Sequence, residues 1–296
     1  MNYYASAKLL LFGEYLVLKG AECLAIPLKY GQNLVVEEIL EKKIKWRSSV
    51  DGHVWFSATL SHDLNVIETS DPQKAEILKT ILFGIKNVKP ELFRTGLDFN
   101  IHADFKQEWG FGSSSTLISC LSQWSKVNPF ILLKGTFGGS GYDIACATAS
   151  TPILYEMETN QSVPVYLFPK VTSKLLFVYS GKKQKSAHEI NRFESLEIYD
   201  EQIKEMNSIV LSAIKATQIE DFEECISQSE QLLSGILKVE PIKERQFKNY
   251  PFYIKSLGAW GGDFFMATFR KENEARQYFA QAGFPIQFNF NELIKK

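Results

Sequence analysis

The sequence predicts an α+β protein of two domains, residues 1–160 and 161–296, and three observations predict it. Short apolar runs broken by glycines fill the first 45 residues and read as strands. Two glycine-rich loops, Gly110–Ser115 and Gly135–Gly141, each run straight into a helix-compatible segment. Beyond them, long amphipathic stretches alternate with short apolar strands. A chain of 296 residues with 45% hydrophobic composition can bury the cores this requires. The boundary is placed near 155–170, after Pro152, Asn160 and Pro164 interrupt the pattern.

Taken in order, strands are expected at Lys8–Phe12, Leu24–Pro27 and Asn33–Glu38, with breaks near Gly13, Gly20 and Gly31. Lys43–Trp46 and His53–Ser57 form a hairpin across Ser48–Gly52. Asp71-Pro72 opens a helix to about Val88, because aspartate caps well and proline suits the first turn. Leu97–Ala103 alternates and reads as a strand leading into the Gly110 loop and its helix, Thr116–Trp124. Tyr142–Ala149 follows the second loop as a helix. Leu175–Tyr179 is a buried strand. Helices are expected at His188–Thr217, Ile219–Leu237, Ile242–Tyr250 and Glu272–Ala282, with strands at Phe264–Phe269 and Ile286–Phe290.

Composition narrows the function classes. A net charge of −1 gives no footprint for nucleic-acid binding. No run approaches about 18 apolar residues, so no membrane span is expected, and the start lacks a signal-peptide pattern. Cys23, Cys120, Cys146 and Cys225 are widely spaced with no CxxC pair, which reads as reduced, buried thiols of a cytoplasmic protein. His53, His62 and His102 lack metal-ligand spacing, and there is no GxSxG elbow.

Four segments carry chemistry. In Gly110-Phe111-Gly112-Ser113-Ser114-Ser115 a glycine loop meets a helix N-terminus, where unpaired N–H groups and the helix dipole favour an anion, phosphate above all. Ser114 is a candidate Mg²⁺ ligand through its hydroxyl, while Ser113 and Ser115 can donate hydrogen bonds or simply cap the helix. The P-loop ending Gly-Lys-Ser/Thr is missing. Lys8, on an apolar strand, is a mobile positive charge for a phosphate or its attacking oxygen, or an edge lysine that limits aggregation. Glu14 can orient Lys8 or a metal, or form a loop salt bridge. Asp143, in Gly138-Gly139-Ser140-Gly141-Tyr142-Asp143, can present a carboxylate to a hydroxyl or cap its helix. The fourth segment, Gly258-Ala259-Trp260-Gly261-Gly262-Asp263, lets backbone approach phosphate or the other loops, or is a tight strand turn. Lys182, Lys183 and Lys185, followed by Ser186 and His188, form a solvated basic stretch or hold a phosphorylated substrate.

In order and spacing these segments resemble the GHMP kinase superfamily, named for galactokinase, homoserine kinase, mevalonate kinase and phosphomevalonate kinase. Its three motifs have counterparts at Lys8–Gly20, Glu108–Ser115 and Lys255–Phe265, and Ser140–Asp143 resembles its substrate-side aspartate motif. The resemblance implies an N-terminal domain with a left-handed βαβ element, like one ribosomal-protein domain, and a ferredoxin-like C-terminal domain. It implies ATP and Mg²⁺: Gly110, Gly112 and Ser113–Ser115 around the triphosphate, Ser114 on the metal, and Asp143 as base or hydroxyl-orienting group. Lys8 would steer the acceptor, and Gly258, Gly261, Gly262 and Asp263 would close the site. The acceptor side would include Glu14, Ser140, Gly141 and the 182–188 stretch. The partner is then a small alcohol or phosphorylated substrate, with no nucleic acid or membrane, and the oligomeric state is open.

Gly13-Glu14-Tyr15, Gly261-Gly262-Asp263 and Ser186-Ala187-His188 resemble the isoprenoid branch, which implies phosphomevalonate as acceptor. Mevalonate kinase, another small-molecule kinase of the superfamily, and a non-catalytic ATP-binding regulator are the alternatives. Three positions depart from the pattern: Gln107-Glu108-Trp109 replaces the usual proline, Leu132 stands where mevalonate kinases carry a metal-binding glutamate, and bulky Trp260 replaces a glycine.

Overall fold

Asp71 begins the first long helix by accepting the Lys74 N–H on its side chain, and Pro72 fills the first turn. The computed structural model of the chain describes residues 1–182, 193, 195–258, 260 and 262–295. Two compact units result. One comprises Met1–Ala7, Tyr30–Gln107 and Phe111–Thr148, the other Lys8–Lys29, Glu108–Gly110 and Ala149–Lys296.

The first unit contains the start of β1 (Asn2–Phe12), most of β2 (Cys23–Ile39), the hairpin β3 (Lys43–Val50) and β4 (His53–Ser61), and β5 (Val66–Thr69). Helix α1 (Pro72–Val88) leads to β6 (Gly96–Ala103), and α2 (Ser113–Ser125), α3 (Pro129–Lys134) and α4 (Tyr142–Thr148) complete it. The strands lie in the order β5-β4-β3-β6-β2, antiparallel throughout except for the parallel pair β3 and β6. Helix α1 turns Ala75, Leu78, Ile81, Leu82 and Ile85 inward at helical spacing. The core they join is built on Trp46 stacked on Phe99, with Trp124 edge-on to Phe99 at 5.0 Å.

Gly31 does not break the second strand as expected. Its N–H donates to Asp104, and a Cβ there would sit 2.3 Å from the Ala5 carbonyl oxygen, so glycine allows a close approach inside one 17-residue strand.

The second unit carries the hairpin β7 (Ile153–Glu156) and β8 (Gln161–Pro164), turned by Asn160 in the left-handed region. Cys23–Ala25 of β2 pairs with β7. After α5 (Pro169–Thr172) come β9 (Leu175–Tyr179), α6 (Asp200–Lys215), α7 (Ile219–Leu237), α8 (Ile242–Gln246), β10 (Ile254–Leu257), β11 (Phe264–Thr268), α9 (Glu272–Gln281), β12 (Gln287–Asn289) and α10 (Phe290–Leu293). The antiparallel sheet order β10-β11-β9-β12, with helices after the first and third strands, is the ferredoxin-like arrangement. Phe247, Phe265 and Phe279 centre its core.

Of the helix expected over His188–Thr217, Asp200–Lys215 is helical, with the Gln202 side chain accepting the Tyr199 N–H at 2.9 Å at its start, while 188–192 and 194 lie outside the described residues. The one expected to reach Tyr250 stops at Gln246, because Phe247 and Tyr250 turn into the core ahead of Pro251. The last strand is cut short by Asn289, whose side chain accepts the Glu292 N–H and starts α10. No helix among the described residues is long and apolar enough to cross a membrane.

Candidate functional site

In the first unit, Gly112 takes a left-handed conformation, φ 87° and ψ 49°, at the N-terminus of α2. Its carbonyl collects the first helical bond from the Thr116 N–H at 3.0 Å and the hydroxyls of Ser115 at 2.8 Å and Thr116 at 3.1 Å. No side chain caps the helix. The leading N–H groups of Ser113, Ser114 and Ser115 are therefore left for an anion. Ser113 and Ser114 are half-buried, and among the described residues their hydroxyls make no hydrogen bond. Ser115 differs from its expected donor role: its side chain is buried and its proton goes to Gly112. Phe111, fully buried against Tyr30 and Phe105, anchors the loop.

Gly138, Gly139 and Gly141 all have positive φ, so this turn needs residues without a Cβ. The Gly141 carbonyl accepts the N–H of Ile144 at 3.0 Å and of Ala145 at 3.2 Å, which starts α4 and leaves Asp143 half-buried in its first turn. Ser140 and Gly141 are buried. Helices α2 and α4 pack together, so one unit brings the serine loop and the Asp143 helix side by side. Leu132 is buried in the apolar core.

In the second unit, Lys8 is a half-buried residue of β1. Gly13 is forced on two counts: φ is 93°, and a Cβ would lie 2.6 Å from the Cys23 Cβ. Glu14, next along, is a salt-bridge residue. It is 1% exposed, and its Oε1 accepts from Lys255 Nζ at 2.7 Å. Lys255 is itself fully buried on β10, over the Phe12 ring, and also donates to the Ser256 carbonyl at 3.3 Å. Glu230 of α7 lies 4.0 Å from the same ammonium and accepts the Ser256 N–H at 3.1 Å. Burial pushes both carboxyls up; Lys255 pulls Glu14 back through its charge and its hydrogen bond but Glu230 through charge alone, and burial with the Glu14 charge raises Glu230 to about 8.

The third loop closes on the second. Asp263, at φ 46°, donates its N–H to the Lys182 carbonyl at 2.7 Å, and its own carbonyl accepts the Ser180 N–H at 2.7 Å. Its carboxylate lies so close to Gly110 that a Cβ there would be 2.2 Å from Oδ2. Gly110, with φ 67°, is thus fixed by both conformation and space. Trp109, where a proline is usual, packs edge-on to Phe264 and Phe288, and the Tyr179 hydroxyl donates to the Glu108 carbonyl at 3.2 Å. Burial and the charges of Glu108 and Asp263 push the Tyr179 hydroxyl upward. Gly110→Ala is expected to lower kcat/KM for a nucleotide at least about 10²-fold, the scale of a small misplacement, which steady-state kinetics on folded protein will check. Gly258 shares the positive φ and Gly262 is buried. Gly261, Lys183, Lys185, Ser186 and His188 lie outside the described residues.

Sequence reasoning passed over Tyr15, Glu230 and Lys255 as individual residues. Two had a readable signal. Glu230 falls on the α7 stripe of Phe222, Ile226 and Leu233, and Lys255 interrupts an apolar strand. No thiol nucleophile competes: all four cysteines are free and buried, and burial pushes Cys120 up to about 12.

No family model matches the chain. It is 25% identical to a mevalonate kinase of Methanocaldococcus jannaschii, over 90% of this chain and 91% of that protein. The structure of the Methanococcus jannaschii mevalonate kinase superposes with a TM-score of 0.74 at 22% identity, covering 100% of this chain and 98% of the other. A Streptococcus pneumoniae phosphomevalonate kinase in complex with phosphomevalonate and AMPPNP gives 0.71 at 18% identity, covering 98% and 99%. The two sheet units match this architecture. The chain thus has the fold of the GHMP kinases and resembles, over most of its length, a mevalonate kinase of their isoprenoid branch.

Proposed function

We propose that this chain transfers the γ-phosphoryl group of ATP to the hydroxyl of mevalonate. The full-length likeness to a mevalonate kinase carries the choice of acceptor, and it favours mevalonate over the phosphomevalonate suggested by the motifs alone. The uncapped N-terminus of α2 supports the nucleotide half of the reading.

Three N–H groups, Ser113 to Ser115, offer donors to phosphate oxygens, and Gly112 removes any side chain from their path. Asp143 accepts the proton of the acceptor hydroxyl as it attacks. Lys8 offsets the charge that develops on the attacking and transferred groups. Positioning and electrostatics suffice, and no covalent enzyme intermediate is required. Ser114 offers its hydroxyl to Mg²⁺, whose role when bound is to neutralise phosphate charge. Leu132, buried and aliphatic, adds no ligand, so most of the metal's oxygens would come from phosphates and water.

Leu132 also favours the second reading, phosphomevalonate as acceptor. Product formation from ATP with mevalonate and phosphomevalonate supplied separately, identified by mass spectrometry, decides between them. Phosphomevalonate formed from mevalonate supports the proposal, and diphosphomevalonate formed only from phosphomevalonate reverses it. Lys8→Met is expected to lower kcat by about 10²–10³-fold, the cost of one lost stabiliser of transition-state charge, with little change in thermal midpoint. An unchanged kcat would make Lys8 structural.

A further inference from the structure

The third loop is held at three points, all within the second unit. Before it, Lys255 is bonded to Glu14; inside it, the Trp260 N–H donates to the Tyr15 hydroxyl at 2.8 Å; at its end, Asp263 meets Gly110. Glu14 and Tyr15 are consecutive, and Tyr15 sits at φ 62°, ψ −52°, where a side chain is rarely found. Two neighbours in the first motif therefore grip the third motif, and Asp263 of the third presses on Gly110 of the second.

Cohesion does not explain this construction. Burying an ammonium and two carboxylates is costly, and hydrocarbon side chains would hold strand to turn as well or better. What the ion pair adds is direction, because a 2.7 Å charge-assisted bond fixes one atom against another. Two carboxylates also share one ammonium. Burial and the Glu14 charge favour the protonated form of Glu230, and the Oε2 atoms of both carboxyls are buried with no hydrogen-bond partner among the described residues.

We propose that Lys255 is a positioning residue for phosphoryl transfer: its bond to Glu14, with Glu230 as the alternative partner, fixes the third loop and through Asp263 the backbone at Gly110. This rests on the kinase reading above. The charges facing Glu230 are Lys255 on β10, Glu14 on the turn after β1 and Arg245 on α8. When Glu230 loses its proton it competes for Lys255 and loosens the grip of Glu14.

The test is a pair of isosteric variants, read by kinetics and thermal unfolding of the whole chain. In Glu14→Gln, Glu230 ionises and takes the ammonium, so the protein stays folded while kcat falls about 10- to 10²-fold from misplacement. Glu230→Gln keeps its bond to Ser256, retains kcat near neutral pH and loses the alkaline limb of the wild-type kcat profile. Combining the two leaves Lys255 without a carboxylate, and the midpoint drops by far more than the sum of the singles. Wild-type kcat and pH profile in Glu14→Gln would overturn the proposal while leaving the kinase reading intact. Titration calorimetry of the wild type with a non-hydrolysable ATP analogue separates the two failures, since absence of binding would overturn both.

Discussion

Asp143→Asn is expected to lower turnover on mevalonate by about 10²–10⁴-fold, the range for loss of a positioned general base. Affinity for ATP should hold, because the phosphate donors we propose are N–H groups of α2, on which the variant makes no change. The acceptor decides how large the loss is. An alcohol keeps its proton at neutral pH and needs a base as it attacks. A phosphate monoester, with a second pKa of about 6, is already ionised, so a phosphomevalonate kinase would have less use for the carboxylate. Measuring kcat and KM for both acceptors in wild type and variant thus tests the residue and the substrate together. A loss confined to KM would move Asp143 from proton transfer to binding.

The parts of this molecule that were legible in the sequence are those governed by local rules. Asp71-Pro72 announces α1 because capping acts within one turn, and Leu175–Tyr179 announces β9 because a short apolar run between breakers is a strand wherever it sits. The glycine turn into α2 was readable for the same reason, since a left-handed Gly112 ahead of a helix depends only on its own stretch of backbone. What was not legible depends on distant partners. Glu14 could orient Lys8 or a metal or form a loop salt bridge, and only folding names its partner, Lys255, 241 residues away. Gly31 looked like a break, and the Ala5 carbonyl that gives the glycine its purpose lies in another strand. The hairpin β7–β8 was hidden because Pro152, Asn160 and Pro164 read as interruptions; they bracket two four-residue strands whose stability comes from pairing.

Lys255→Met is expected to be the most destabilising single change, by about 3–5 kcal/mol, the cost of removing one partner from a buried pair. Methionine has a similar length and fills the same apolar space, so the loss is electrostatic rather than a cavity. With the ammonium gone, Glu14 and Glu230 face each other's charge in a site both already enter with raised affinity for protons. Their folded-state pKa values rise further. A carboxyl whose folded pKa lies above its unfolded one stabilises the fold in acid and loses that contribution as pH climbs toward the folded value. The variant should therefore approach wild type near pH 5 and fall behind it steadily toward pH 8. At about 2 °C per kcal/mol for a chain of this size, the gap in midpoint at neutral pH should be roughly 6–10 °C. Scanning calorimetry across that range checks it. A gap that stays constant with pH would mean that Lys255 acts through packing alone, and the buried charge balance drawn from Glu14 and Glu230 would be wrong.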